Sequence, residues 1–119
     1  MKPDDCATMT DVRAGVDALD RELAALLGVR FGYMRAAARL KAERGAVRDE
    51  SRKAAVIGQA EVAAHATGVP AGLAAQLWEI LVEASIAYEL TEFDARSSTE
   101  RGASDGTRTR GLRRDRPAL

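Results

Sequence analysis

The sequence predicts an all-α protein: a three-helix protomer with a long first helix, two copies of which intertwine as a homodimer. Three observations predict it. The 119-residue chain is 46% hydrophobic but only 4% aromatic. Much of its apolar content is alanine and leucine, which suits helices packed closely on helices rather than a sheet. Apolar residues recur at steps of three and four along most of the chain. The length fits one domain and not two. A short helical chain buries a thin core by itself, so pairing with a second copy is a natural remedy.

The first helix is expected from about Thr10 to Glu43. Met9, Val12, Val16, Leu19, Leu23, Leu26, Arg30, Met34, Ala37 and Lys41 keep helical spacing for about nine turns. Thr8, three residues before Asp11, has the form of an N-terminal cap. Gly28 and Gly32 lie four apart on one face. They either admit a close neighbour or are merely tolerated, at roughly 1 kcal/mol each relative to alanine.

Gly45 breaks the first pattern. Asp49 then supplies an N-cap with Glu50 in the first turn, and a second helix is expected from Glu50 to Ala66, stopped by Thr67-Gly68. Pro70 fits the first turn of a third helix, expected to run to about Ala95 through Leu73, Leu77, Trp78, Leu81, Ser85, Tyr88 and Phe93. Apolar residues lie on more than one face of this helix, which makes it central.

The domain boundary is set at residue 96, with residues 97–119 expected to form a disordered basic tail. Formal net charge is zero, but residues 1–100 carry a net of −4 and residues 101–119 a net of +4. The tail reads either as an accidental extension or as a nucleic-acid arm; no aromatic residue interleaves its arginines, which disfavours the arm. A single cysteine, Cys6, excludes an intrachain disulfide framework and gives no metal spacing. No stretch has the apolar length of a membrane span. Acids near the start, where a signal peptide needs an apolar core, make a cytoplasmic location the expectation.

Arg30 and Lys41 stand in the apolar seam of the first helix. Eleven residues apart, they share a face at a separation of about 16 Å. They either converge on an anion, or snorkel, or form a salt bridge to another helix. Arg13 precedes Arg30 by 17 residues, about 25 Å along a straight helix. If Arg13 and Arg30 serve one small ligand, Arg13 comes from a second chain.

At these residues the sequence resembles the all-helical chorismate mutases and the related isochorismate pyruvate lyases. The likeness spans Pro3 to Ala95. It is carried by Val12-Arg13 with Ala18-Leu19-Asp20, then Arg30, Lys41, Val47-Arg48-Asp49, Arg52, and Ser85 with Glu89. Pro3-Asp4-Asp5-Cys6 and Tyr33-Met34-Arg35-Ala36-Ala37 resemble the lyase branch, whereas Val47-Arg48-Asp49 with Arg52 resembles the mutases. The resemblance implies an interlocked dimer with two shared sites and no metal or organic cofactor. It implies that Arg13 and Arg30 hold the two carboxylates of chorismate. Lys41 then faces the ether oxygen, Arg52 assists with a carboxylate, Asp49 lies at the ring hydroxyl and Ser85 near a carboxylate. Conversion of chorismate to prephenate is a unimolecular rearrangement. It needs a compact conformer and stabilisation of charge on the ether oxygen. Elimination of pyruvate from isochorismate, which gives salicylate, needs a similar pocket. The mutase activity, on the way to aromatic amino acids, is the preferred expectation, the lyase the alternative, and a non-catalytic helical dimer a third.

Two positions depart from the family pattern. Many members have glutamine where Glu89 stands, donating to the ether oxygen. An ionised glutamate cannot donate, so Glu89 is expected to act protonated; otherwise it is a solvated helix residue. Lys53 replaces a glutamate that in many mutases accepts from the ring hydroxyl, which lysine cannot do. Of the remaining conspicuous residues, His65 reads as a helix-end or surface residue, Cys6 as inert, and Trp78 and Tyr88 as packing.

Overall fold

The computed structural model describes residues 2–105 of the chain, and these are helical, with no strand among them. Three long helices follow one another: α1 over Met9–Leu40, α2 over Glu50–Ala66 and α3 over Leu73–Asp105. Short 3-10 turns precede α1 (Pro3–Asp5) and α2 (Arg44–Ala46). The chain divides into two compact units, one through Tyr33 and one from Met34.

The first unit holds the start of α1. Its cap is reciprocal: the Asp11 amide donates to the Thr8 hydroxyl at 3.1 Å, and the Thr8 amide donates back to the Asp11 carboxylate at 3.2 Å. The Ala7 amide adds a third bond at 2.9 Å. These backbone donors hold the Asp11 carboxyl below its ordinary value, because each stabilises the charged form. Along α1 the predicted apolar seam is present but uncovered within this chain. Val16 is 49% exposed, Leu19 56%, Leu23 58% and Leu26 64%. A Cβ placed on Gly28 would meet nothing within 4 Å, so within one chain the glycine is tolerated rather than needed.

The second unit is built on α3. Val47, Val82 and Ile86 form its buried centre, with Val56, Ile57, Trp78 and Leu90 packed around them. Full burial of such a side chain contributes about 1.5–3 kcal/mol. Trp78 packs, as expected. α3 also presents Leu73, Leu77 and Ile80 at 40%, 52% and 70% exposure, so one apolar face is used inside the chain and a second is not.

Both ends of α2 fall where the sequence puts them. The Asp49 carboxylate accepts the Arg52 amide at 3.0 Å. At the other end Gly68 takes φ +85°. Its amide bonds to the His65 carbonyl, and the Val69 amide bonds to the Ala64 carbonyl. This paired termination requires a left-handed residue, which glycine adopts without strain.

The other boundaries differ from expectation. α1 ends at Leu40, not Glu43; the Lys41 amide still bonds to the Ala37 carbonyl at 3.0 Å, and the Arg44–Ala46 turn then redirects the chain. α3 starts at Leu73, so Pro70 lies before it. The Leu73 amide closes a turn onto the Pro70 carbonyl, and Gly72, at φ +83°, holds a conformation no right-handed helix contains. At its far end α3 continues past Ala95 to Asp105. The apolar pattern stops there, but Ser97, Ser98 and Thr99 cost a helix only tenths of a kcal/mol each. The remainder of the expected tail, residues 106–119, lies outside the described residues.

Candidate active site

Lys41 and Glu89 meet. Lys41 follows the last turn of α1, and Glu89 projects from the middle of α3; Lys41 Nζ lies 2.6 Å from Glu89 Oε2. The lysine side chain is 30% exposed and the glutamate side chain 5%. Glu89 is therefore no solvated surface residue. The Oε2 oxygen has the charge contact with Lys41 but no aligned hydrogen bond. Burying a carboxylate carries a desolvation cost, which its charge contact with Lys41 offsets. Lys41 thus makes an ion pair to another helix, one of the readings open for it.

Ser85 lies one turn before Glu89 on α3 and is also buried, at 4% exposure. Its Oγ donates to the Leu81 carbonyl at 2.7 Å. To meet a carboxylate the hydroxyl hydrogen must rotate away from that carbonyl.

Asp49 and Arg52 sit together in the first turn of α2, both exposed. Asp49 acts there as the helix cap, and its partner is the Arg52 main chain rather than the guanidinium. Arg13 and Arg30 belong to the first unit, on α1. Seventeen residues of unbroken helix separate them by about 25 Å, so the two do not converge within one chain.

Lys53, the second departure from the family pattern, is occupied elsewhere. Its Nζ donates to Glu79 at 2.8 Å and to Glu83 at 2.7 Å. Arg48 makes a two-pronged contact with the same Glu83 at 2.7 and 3.0 Å and reaches Glu50 at 2.7 Å. The Arg48 and Lys53 donors hold the Glu83 carboxyl down to about 2, and Glu79 and Glu83 raise Lys53 above its ordinary value. Glu79 and Glu83 escaped the sequence reading. Their four-residue spacing on α3 was the available signal, since it sets two carboxylates on one helix face opposite a lysine standing where the family has an acid.

Further polar ties join the second unit. Arg35 donates to the Tyr88 hydroxyl at 3.0 Å, so Tyr88 does more than pack, and Arg44 grips Asp94 at 2.9 and 3.3 Å. Glu61 of α2 accepts the Gly72 and Ala75 amides and so caps the start of α3. His65 is exposed in the last turn of α2. Among the described residues no group of three His, Cys, Asp or Glu side chains is placed to hold a metal ion. No helix among them is long and apolar enough to cross a membrane.

The fold and this pair define a class: an all-helical protein in which a lysine at the end of the first helix meets a buried carboxylate in the middle of the third. Residues 12–90 match the family described as chorismate mutase type II. The isochorismate pyruvate lyase of Pseudomonas aeruginosa is 32% identical over 90 residues, covering 72% of this chain and 89% of that protein. The chain belongs to the chorismate mutase type II family.

Proposed function

We propose that the protein is a chorismate mutase that rearranges chorismate to prephenate by electrostatic and conformational catalysis. The observation that carries this reading is the Lys41–Glu89 pair inside the span that matches the family. The rearrangement breaks a C–O bond as a C–C bond forms, and negative charge grows on the ether oxygen. Lys41 opposes that charge directly. Glu89 contributes only when protonated, because an ionised carboxylate accepts but does not donate. Arg30, with Arg13 from a second copy, holds the two substrate carboxylates through guanidinium forks. Arg52 and Ser85 complete carboxylate binding, and Asp49 lies toward the ring hydroxyl. No nucleophile, metal or organic cofactor enters the reaction.

Two features support a homodimer with shared sites. The α1 seam from Val16 to Leu26 is uncovered in one chain. The span between Arg13 and Arg30 is too long for one small dicarboxylate to bridge. A second reading, isochorismate pyruvate lyase, is favoured by the 32% identical relative of that name. Val47-Arg48-Asp49 with Arg52 favours the mutase.

Incubation of the pure protein with chorismate and, separately, with isochorismate decides between them. Prephenate from chorismate supports the mutase; salicylate with pyruvate from isochorismate replaces it by the lyase. In the mutase assay, Glu89→Gln, which places a permanent donor where the carboxylate stands, raises activity. An unchanged rate in that variant removes Glu89 from the mechanism.

A further inference from the structure

Arg52 is flanked by two cations that end on one carboxylate. Arg48, four residues before it, reaches both oxygens of Glu83; Lys53, the next residue, reaches Oε2 of the same group. Between these anchors lies the first turn of α2. There the Arg52 amide bonds to Asp49 Oδ1 at 3.0 Å and the Lys53 amide to the Asp49 carbonyl at 2.9 Å. Glu83 lies in the first third of α3, six residues before Glu89 and thus about 120° around the helix from it. The clamp and the Lys41–Glu89 pair therefore stand on different sides of α3.

We propose that Glu83 is a positioning residue for Arg52. By holding Arg48 and Lys53 it pins both sides of the turn that carries Arg52 and sets the direction from which that guanidinium meets a substrate carboxylate. The inference rests on the role assigned to Arg52 in the mutase reading. An exposed arginine on a loose helix end loses conformational freedom when it binds, and anchoring its backbone beforehand lowers that cost. The clamp also accounts for Lys53. It serves the turn rather than the substrate, and its charge is matched by Glu79 and Glu83 on α3. Three charge-assisted bonds on one carboxylate make Glu83 the common point of the device.

The test combines Glu83→Gln, Arg52→Ala and the double variant, with steady-state kinetics on chorismate and hydrogen–deuterium exchange over residues 50–53. Lys53→Met, which removes one anchor only, stands in if Glu83→Gln does not fold. Arg52→Ala is expected to raise KM by about tenfold, the equivalent of one charge-assisted hydrogen bond. Glu83→Gln is expected to speed exchange across residues 50–53 and raise KM by about three- to tenfold, with kcat much less affected. In the Arg52→Ala background Glu83→Gln should raise KM no further, because residues acting through one contact are not additive. An equal rise in both backgrounds, or unchanged exchange over residues 50–53, overturns the positioning role. An unchanged KM in Arg52→Ala overturns the reading of Arg52 instead, and the exchange data then tell that failure from a failure of the clamp.

Discussion

The Lys41–Glu89 contact places a carboxylate at 5% exposure against a lysine that keeps 30%. Removing the cation strands the acid. Lys41→Met should destabilise the fold by about 1–3 kcal/mol in urea titrations at neutral pH, less than for a fully buried pair because Lys41 still touches water. Adding Glu89→Gln to that variant should restore most of the loss; a double variant no more stable than the single would show that the pair is not a stability coupling. Glu83 gives the pH-dependent counterpart. Its carboxyl is held down to about 2 in the folded protein. Its contribution is therefore present above the unfolded value near 4.5 and lost as pH falls through about 2. Lys53 is shifted up, so its share is present below its ordinary value and lost as pH rises through the folded one. Thermal unfolding between pH 5 and 2 should fall more steeply for the parent protein than for Glu83→Gln, and parallel curves would remove Glu83 as the cause. At this scale the seam cations were legible because a charge in an apolar row is an anomaly of pattern. Glu79 and Glu83 were not, because acids on an exposed helix face are ordinary until the opposite helix is known.

The elements were legible in proportion to their punctuation. α2 has a capping aspartate before it and glycine after it, and it begins and ends where those residues put it. α3 has no such marks of its own. Its start is fixed by Gly72 at positive φ and by Glu61, which reaches across from α2 to the Gly72 and Ala75 amides, a contact that no local pattern contains. Its extension to Asp105 runs without apolar periodicity, so the usual signal was silent. Gly68→Ala should cost about 1 kcal/mol, since alanine is strained where φ is +85°. Glu61→Ala should cost about 0.5–2 kcal/mol through the lost cap of α3. Chemical denaturation measures both. An effect of Glu61→Ala confined to the far end of α3, read by amide exchange, would contradict the capping role, because a cap acts on the first turn.

For the whole molecule, the uncovered seam and the Arg13–Arg30 spacing bear on the same question. Leu19, Leu23 and Leu26 are each more than half exposed in one chain, whereas a globular chain ordinarily buries such a stripe. Sedimentation should give twice the monomer mass, and Leu23→Glu should reduce it to one chain. Shared sites make a stronger demand. Arg13→Ala and Arg30→Ala should each abolish most activity alone. Mixed and allowed to exchange, they form heterodimers in which one site receives both substitutions and the other receives neither. With random pairing half of the dimers are mixed and half of their sites are intact, so activity should recover to about a quarter of the parent value. Sites built within one chain would recover nothing, since every chain in the mixture lacks one of the two arginines.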